Sequence, residues 1–204
     1  MKMQSIAAAA ALFAASVGSA ASAAPAAAPA TPAAPTGPAI PGLCVFSQEY
    51  LIGGSVVGKF ALNRLQQLGA QADAEISSEA QTLQADGKAL DAQHATLTAD
   101  QYDQRMAALQ VRDREIQRKY QLRQKEMQAT KEKAFNTIGQ QAEPILRQVV
   151  AERNCSIVLS SAAVLVGSPS MDISTAVVQR LDAKIQQFAF DREHLDTQAG
   201  PSAQ

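Results

Sequence analysis

The feature that most constrains this chain is a stretch of about a hundred residues, 55–154, whose apolar positions recur at helical spacing with one interruption. In its first half Ile76, Ala80, Leu83, Gly87, Leu90, His94 and Leu97 alternate in steps of four and three, and Leu65, Leu68 and Ala72 extend the series backwards. This is the seam spacing of paired helices. In its second half Tyr102, Met106, Leu109, Ile116, Tyr120, Met127, Ala134 and Ile138 fall at compatible intervals, while Asp113, Arg123 and Thr130 stand where apolar residues are expected. The spacing predicts two long antiparallel helices turning near residues 96–99. At about 1.5 Å per residue, forty helical residues make an arm of roughly 60 Å. Such a hairpin buries little against itself, which fits a grasping or spacing device better than an enzyme.

Local signals place its ends. Ser55 is a cap for a helix beginning at Val56. Thr98-Ala99-Asp100-Gln101 has the form of a capping box, in which the Thr hydroxyl and the Gln side chain satisfy each other's free backbone donors. Pro144 leaves two readings open, a kink within one helix or a stop followed by a new first turn. The outgoing half is acidic, with Asp73, Glu75, Glu79, Asp86 and Asp91, and the returning half is rich in Arg and Lys between Arg105 and Lys133. Opposite charge favours the antiparallel pairing, though exposed ion pairs contribute only about 0 to 1 kcal/mol each. Small residues at Ala80 and Gly87 and polar ones at His94 and Asp113 make a soft seam, expected to bend towards its tip.

Short β-prone runs flank the arm. Leu43-Cys44-Val45-Phe46 reads as one strand, separated from the helix by Gly53-Gly54. Ser156-Ile157-Val158-Leu159-Ser160 and Val164-Leu165-Val166 read as a hairpin ended by Gly167-Ser168-Pro169. Asp172 then caps a last helix with Ile173, Val177, Leu181, Ile185 and Phe188 roughly on one face. The expected fold class is mainly α with a small β-body: an arm, 55–154, on a three-stranded base, 43–54 and 155–195. So small a sheet is marginal alone, so Val45, Phe46, Ile157, Val158, Leu159, Val164, Leu165 and Val166 are expected to pair with copies of the chain.

The termini bear on location. Met1-Lys2-Met3, the apolar run from Ile6 to Val17 and Ala21-Ser22-Ala23 form a secretory signal peptide, residues 1–23, cleaved near Ala23. Its apolar run is about a dozen residues, short of the roughly 20 that span a bilayer. The mature protein is therefore expected to be exported. Residues 24–42 are nearly all Ala, Pro, Thr and Gly, the composition of a disordered linker, and 196–204 form a polar tail. A net charge of −1 and the export signal both oppose nucleic-acid binding.

Cys44 and Cys155 are the only cysteines and each borders a predicted strand. In an oxidising compartment an even pair favours a disulfide, and two buried free thiols are the alternative. His94 and His194 have no convergent donors for a metal, and no phosphate loop, nucleophile elbow or paired-carboxylate signature occurs. No cofactor and no enzymatic activity are expected.

Following a short strand, Ser55-Val56-Val57-Gly58-Lys59-Phe60-Ala61 with Leu62 and Leu65 resembles the opening of the Skp (OmpH-like) family of periplasmic chaperones. The close, Ser156-Ile157-Val158-Leu159 through Ala163-Val164-Leu165 to Asp172-Ile173-Ser174, Val178, Arg180, Leu181 and Asp182, is similar to that family's final hairpin and helix. The resemblance implies a jellyfish-like homotrimer in the periplasm. Its strands would form a central β-body, and three helical tentacles would hold unfolded outer-membrane β-barrel proteins without ATP. Well-known members are strongly basic, so no lipopolysaccharide site is carried over, and contact with a membrane surface stays open. Leu83, Leu90, Met106, Tyr120 and Met127 are candidate client contacts, with the intra-hairpin seam as the plainer role for the same residues. The other functional reading is a periplasmic coiled-coil adaptor of an envelope assembly.

Overall fold

The computed structural model describes residues 37–195; the expected signal peptide, most of the Pro/Ala linker and the tail 196–204 lie outside them. The described elements run β1 (Leu43–Phe46), α1 (Gln48–Gly54), α2 (Val56–Ala92), α3 (Ala99–Glu152), β2 (Ile157–Ser160) and α4 (Ser174–Lys184), with short 3-10 turns at Ser161–Ala163 and Pro169–Met171. No described helix is long and apolar enough to cross a membrane.

Helices α2 and α3 are the two limbs of the arm. The Ser55 hydroxyl accepts from the Gly58 N–H at 3.0 Å and starts α2. At the tip, Thr98 Oγ1 accepts from the Gln101 N–H while Gln101 Oε1 accepts from the Thr98 N–H, so the expected capping box is formed on both sides. Across the limbs, Arg123 meets Glu75, Lys119 meets Glu79 and Arg112 meets Asp86, each pairing a base on α3 with an acid on α2. These registers fix an antiparallel hairpin. Pro144 lies inside α3, which continues to Glu152.

The base departs from expectation in three ways. First, Gly53-Gly54 does not break the chain but ends a helix, α1, begun by Ser47, whose side chain accepts from the Tyr50 N–H. A Cβ at Gly58 would collide with the Ile52 carbonyl and the Ser55 hydroxyl, so a glycine is required where α1 turns into α2. Second, β2 does not turn back on a third strand. It pairs in parallel with β1, Leu43 opposite Ile157 through Phe46 opposite Ser160, the whole arm serving as the crossover. Val164, Leu165 and Val166 form no strand, because the 3-10 turn at Ser161–Ala163 redirects the chain, and β1's other edge is taken by Asp172 and by the Ile173 N–H, which donates to the Val45 carbonyl. Third, α4 ends at Lys184, so Phe188 lies beyond the helix instead of on its apolar face.

These differences give the chain a core of its own. Cys44, Phe46, Leu51, Val57, Ala61, Ile138, Ala142, Ile145, Val149, Ile173, Val177, Val178 and Leu181 bury one another, so the roots of both arm helices supply most of what a bare three-stranded base lacks. Asp182 Oδ1 accepts from the Val56 N–H at 2.7 Å, placing a carboxylate on the N-terminus of α2. Elsewhere in the base Cys44 and Cys155 are joined by a disulfide with Cα atoms 5.7 Å apart, spanning 111 residues.

Candidate functional site: the arm and the exposed strand of the base

Along the arm the seam is closed at its root and partly open beyond it. Leu68, Ala72, Ala134 and Ile138 are buried, whereas Ile76, Leu83, Met106, Leu109, Ile116 and Met127 keep part of their surface in solvent. The sequence accounts for this. A Cβ at Gly87 would stand in open space, and one at Gly69 would only touch the Met127 methyl at 4.0 Å, so both glycines leave room between the limbs. Leu65, Ala72, Ile76, Tyr120 and Met127 consequently line a cleft of about 340 Å³ with Arg123 and Lys131 among its polar residues. A wider cleft, about 830 Å³, opens between α1 and α3 over Leu51, Ile52, Leu62 and Phe135.

The expected client contacts are distributed accordingly. Tyr120 is 46% exposed, and Leu83, Met106 and Met127 are half-buried. Leu90 is a correction: at 5% exposure it is packed between the limbs and offers no surface. Near the tip, the Tyr102 hydroxyl donates to Asp91 at 3.1 Å and His94 meets the Tyr102 ring edge-on. Desolvation and that hydrogen bond hold the Tyr102 phenol above its ordinary value. Among the described residues no group of three or more His, Cys, Asp or Glu could hold a metal ion.

The strand residues divide into two sets. Val45 and Phe46, expected at an interface between copies, are buried within the chain, Phe46 in its core, and β1 is flanked on both edges. All four residues of β2 are exposed, and Leu165 and Val166 project into solvent. An apolar strand with a free edge invites pairing with another chain.

A polar cluster at the arm's root had only a faint trace in the sequence, the out-of-pattern residues Arg123 and Thr130. Glu126 is fully buried and accepts from Arg123 Nη1 at 2.8 Å. Arg192, from the segment after α4, reaches back to Glu75 at 3.2 Å and lies 3.4 Å from Glu126. Burial pushes the Glu75 carboxyl up, but hydrogen bonds and charge from Arg192 and Arg123 outweigh it and hold the group below its usual value. At the base the Arg180 guanidinium grips both oxygens of Glu152 and lowers its carboxyl.

A long two-helix arm on a small parallel sheet, closed by a C-terminal helix, defines the architectural class. The sequence profile of the outer membrane protein (OmpH-like) family matches residues 42–181, and the chain belongs to that family. The crystal structure of an OmpH-like protein from Caulobacter crescentus CB15, assigned as an outer membrane chaperone, is 43% identical. It covers 79% of this chain and 95% of its own, with a TM-score of 0.73. No curated protein matches the sequence.

Proposed function

We propose that this protein is an ATP-independent holding chaperone of the periplasm, which keeps unfolded outer-membrane β-barrel proteins from aggregating. The observation that carries the reading is family membership together with 43% identity to a protein assigned as an outer membrane chaperone, matched over nearly its full length. The signal-peptide pattern of residues 1–23 supports export, with cleavage near Ala23.

The physical reading is consistent with this role. β2 leaves an apolar, exposed strand with one unpaired edge. Three copies pooling β2 and the Leu165-Val166 loop would cover that surface and set three arms around a shared cavity. Half-open seams lined by Leu83, Met106, Tyr120 and Met127 offer many weak apolar contacts, and thioethers and aromatic rings adapt to irregular partners. Three arms around one client raise the local concentration of such contacts, so affinity comes from avidity.

The test is aggregation of an unfolded outer-membrane barrel protein diluted from urea, followed by light scattering. A threefold molar excess of the mature protein, one trimer per client, is expected to suppress the signal without nucleotide. Undiminished scattering at large excess refutes the proposal.

A further inference from the structure

After α4 the chain runs on to Leu195 without helix or strand, beyond the residues that the family profile matches, and lies along the root of the arm. Three of its contacts take its main chain. Arg64 Nε donates to the Phe190 carbonyl at 3.4 Å, Thr130 Oγ1 accepts from the Glu193 N–H at 2.9 Å, and Glu126 Oε1 accepts from the Leu195 N–H at 3.3 Å. Main-chain groups are common to every polypeptide, so these three side chains read an extended backbone more than a sequence. The remaining contacts select chemistry. Phe188 and Phe190, stacked with ring centroids 5.2 Å apart, pack against the base core. Asp191 pairs with Arg64, Glu193 with Lys133, and Arg192 lies between Glu75 and Glu126.

The groove is built at a cost that the hairpin alone does not require. Glu126 is 0% and Thr130 2% exposed, both within the span where α3 is otherwise buried through apolar residues such as Ala134 and Ile138. A buried carboxylate is unfavourable unless its oxygens are occupied. Arg123 takes Oε2, and the segment's main chain takes Oε1. Arg192 Nε, also buried and 3.4 Å from Glu126 Oε2, makes no hydrogen bond, so the groove does not satisfy its resident segment completely.

Resting on the chaperone reading above, we propose that Arg64, Glu75, Arg123, Glu126 and Thr130 form a docking strip for an extended polypeptide with an aromatic residue two positions before a basic one. Residues 186–195 are its resident occupant, displaced when an unfolded client takes the strip. An unfolded chain presents this chemistry, free main-chain donors and acceptors with interspersed aromatic and charged side chains.

The experiment uses the full mature chain carrying Phe190→Ala and Arg192→Ala, titrated with a fluorescein-labelled peptide of residues 186–195. The double variant is expected to bind the peptide at least tenfold more tightly than the parent, while its own Glu193 and Leu195 amides lose hydrogen-exchange protection. Loss of protection without a gain in peptide binding overturns the proposal, and so does protection that survives both substitutions. Arg192→Ala alone, which leaves both rings on the core, is held to the same tenfold criterion should the double variant lose helix. A variant that binds the peptide yet suppresses no client aggregation leaves the strip standing and removes the chaperone reading. Suppression without peptide binding does the reverse.

Discussion

At Gly58 the absence of a side chain lets α2 start against the last turn of α1, since a Cβ there would meet the Ile52 carbonyl. Backbone atoms cannot swing aside as a flexible side chain would. Gly58→Ala is therefore expected to cost about 1 to 3 kcal/mol, in the range of overpacked cores, read from urea unfolding. An unchanged midpoint would show that the joint is slack. Glu75 supplies the pH dependence. Its folded value lies below the ordinary 4.5, so its contribution is present in full above that pH and is lost as pH falls through the folded value. The groups facing it are Arg123 and Arg192, with Glu126 behind them. Exchange protection of the Glu193 and Leu195 amides is expected to hold from pH 7 down to about 4.5 and to weaken below it. Because Glu75 is 48% exposed, the loss through this group is at most about fivefold, the scale of a surface pair. Protection that rose on acidification would contradict the assignment. Residues whose partners are three or four positions away, such as Ser55 and the Thr98–Gln101 box, were legible in the sequence. For Glu126 only the Arg123 pairing has that spacing; its burial was not legible, because Arg192 and Leu195 come from more than sixty residues downstream in a segment without periodicity.

Among the elements, the arm was the most readable because helical spacing persists along both limbs and the two limbs carry opposite charge. The ion pairs Glu75–Arg123, Glu79–Lys119 and Asp86–Arg112 are the charge asymmetry of the two halves made geometric. The base was less readable. The β-branched content of residues 164–166 records propensity but not pairing: the turn at Ser161–Ala163 leads the chain away from β2, and it is Asp172 and Ile173, further along, that take the second edge of β1. The glycine pair at 53–54 gave the same kind of false boundary, since a short capped helix, Gln48–Gly54, survives with glycines at its end. The disulfide belongs to this scale because it fastens β1 to the chain just before β2. Closing a loop of 111 residues removes unfolded-state entropy worth about 4 to 5 kcal/mol in the chain-entropy model. Cys44→Ser with Cys155→Ser is expected to lower the unfolding free energy by that order while helix content is retained. Alkylation of the unreduced parent should modify neither cysteine, and two labelled thiols would end the assignment.

For the whole molecule, the deciding quantity is the number of chains. Ile157, Val158 and Leu159 of β2, with Leu165 and Val166, leave apolar side chains uncovered beside a base core whose residues bury one another. Ile157→Lys with Leu165→Lys is expected to reduce the molar mass from three chains to one, measured by light scattering after size exclusion, with the circular dichroism of the arm unchanged. A parent protein that is already monomeric would remove the trimer from the proposal. The parallel register of Leu43 with Ile157 also bears on timing. Each rung of this sheet joins residues more than a hundred positions apart, so no hydrogen bond of the ladder exists until the entire arm has been delivered. On the proposed export, with the N-terminus leading, Cys44 stays a lone thiol throughout that interval. Zippering of the two limbs then shortens the search, bringing residue 155 alongside its waiting partner.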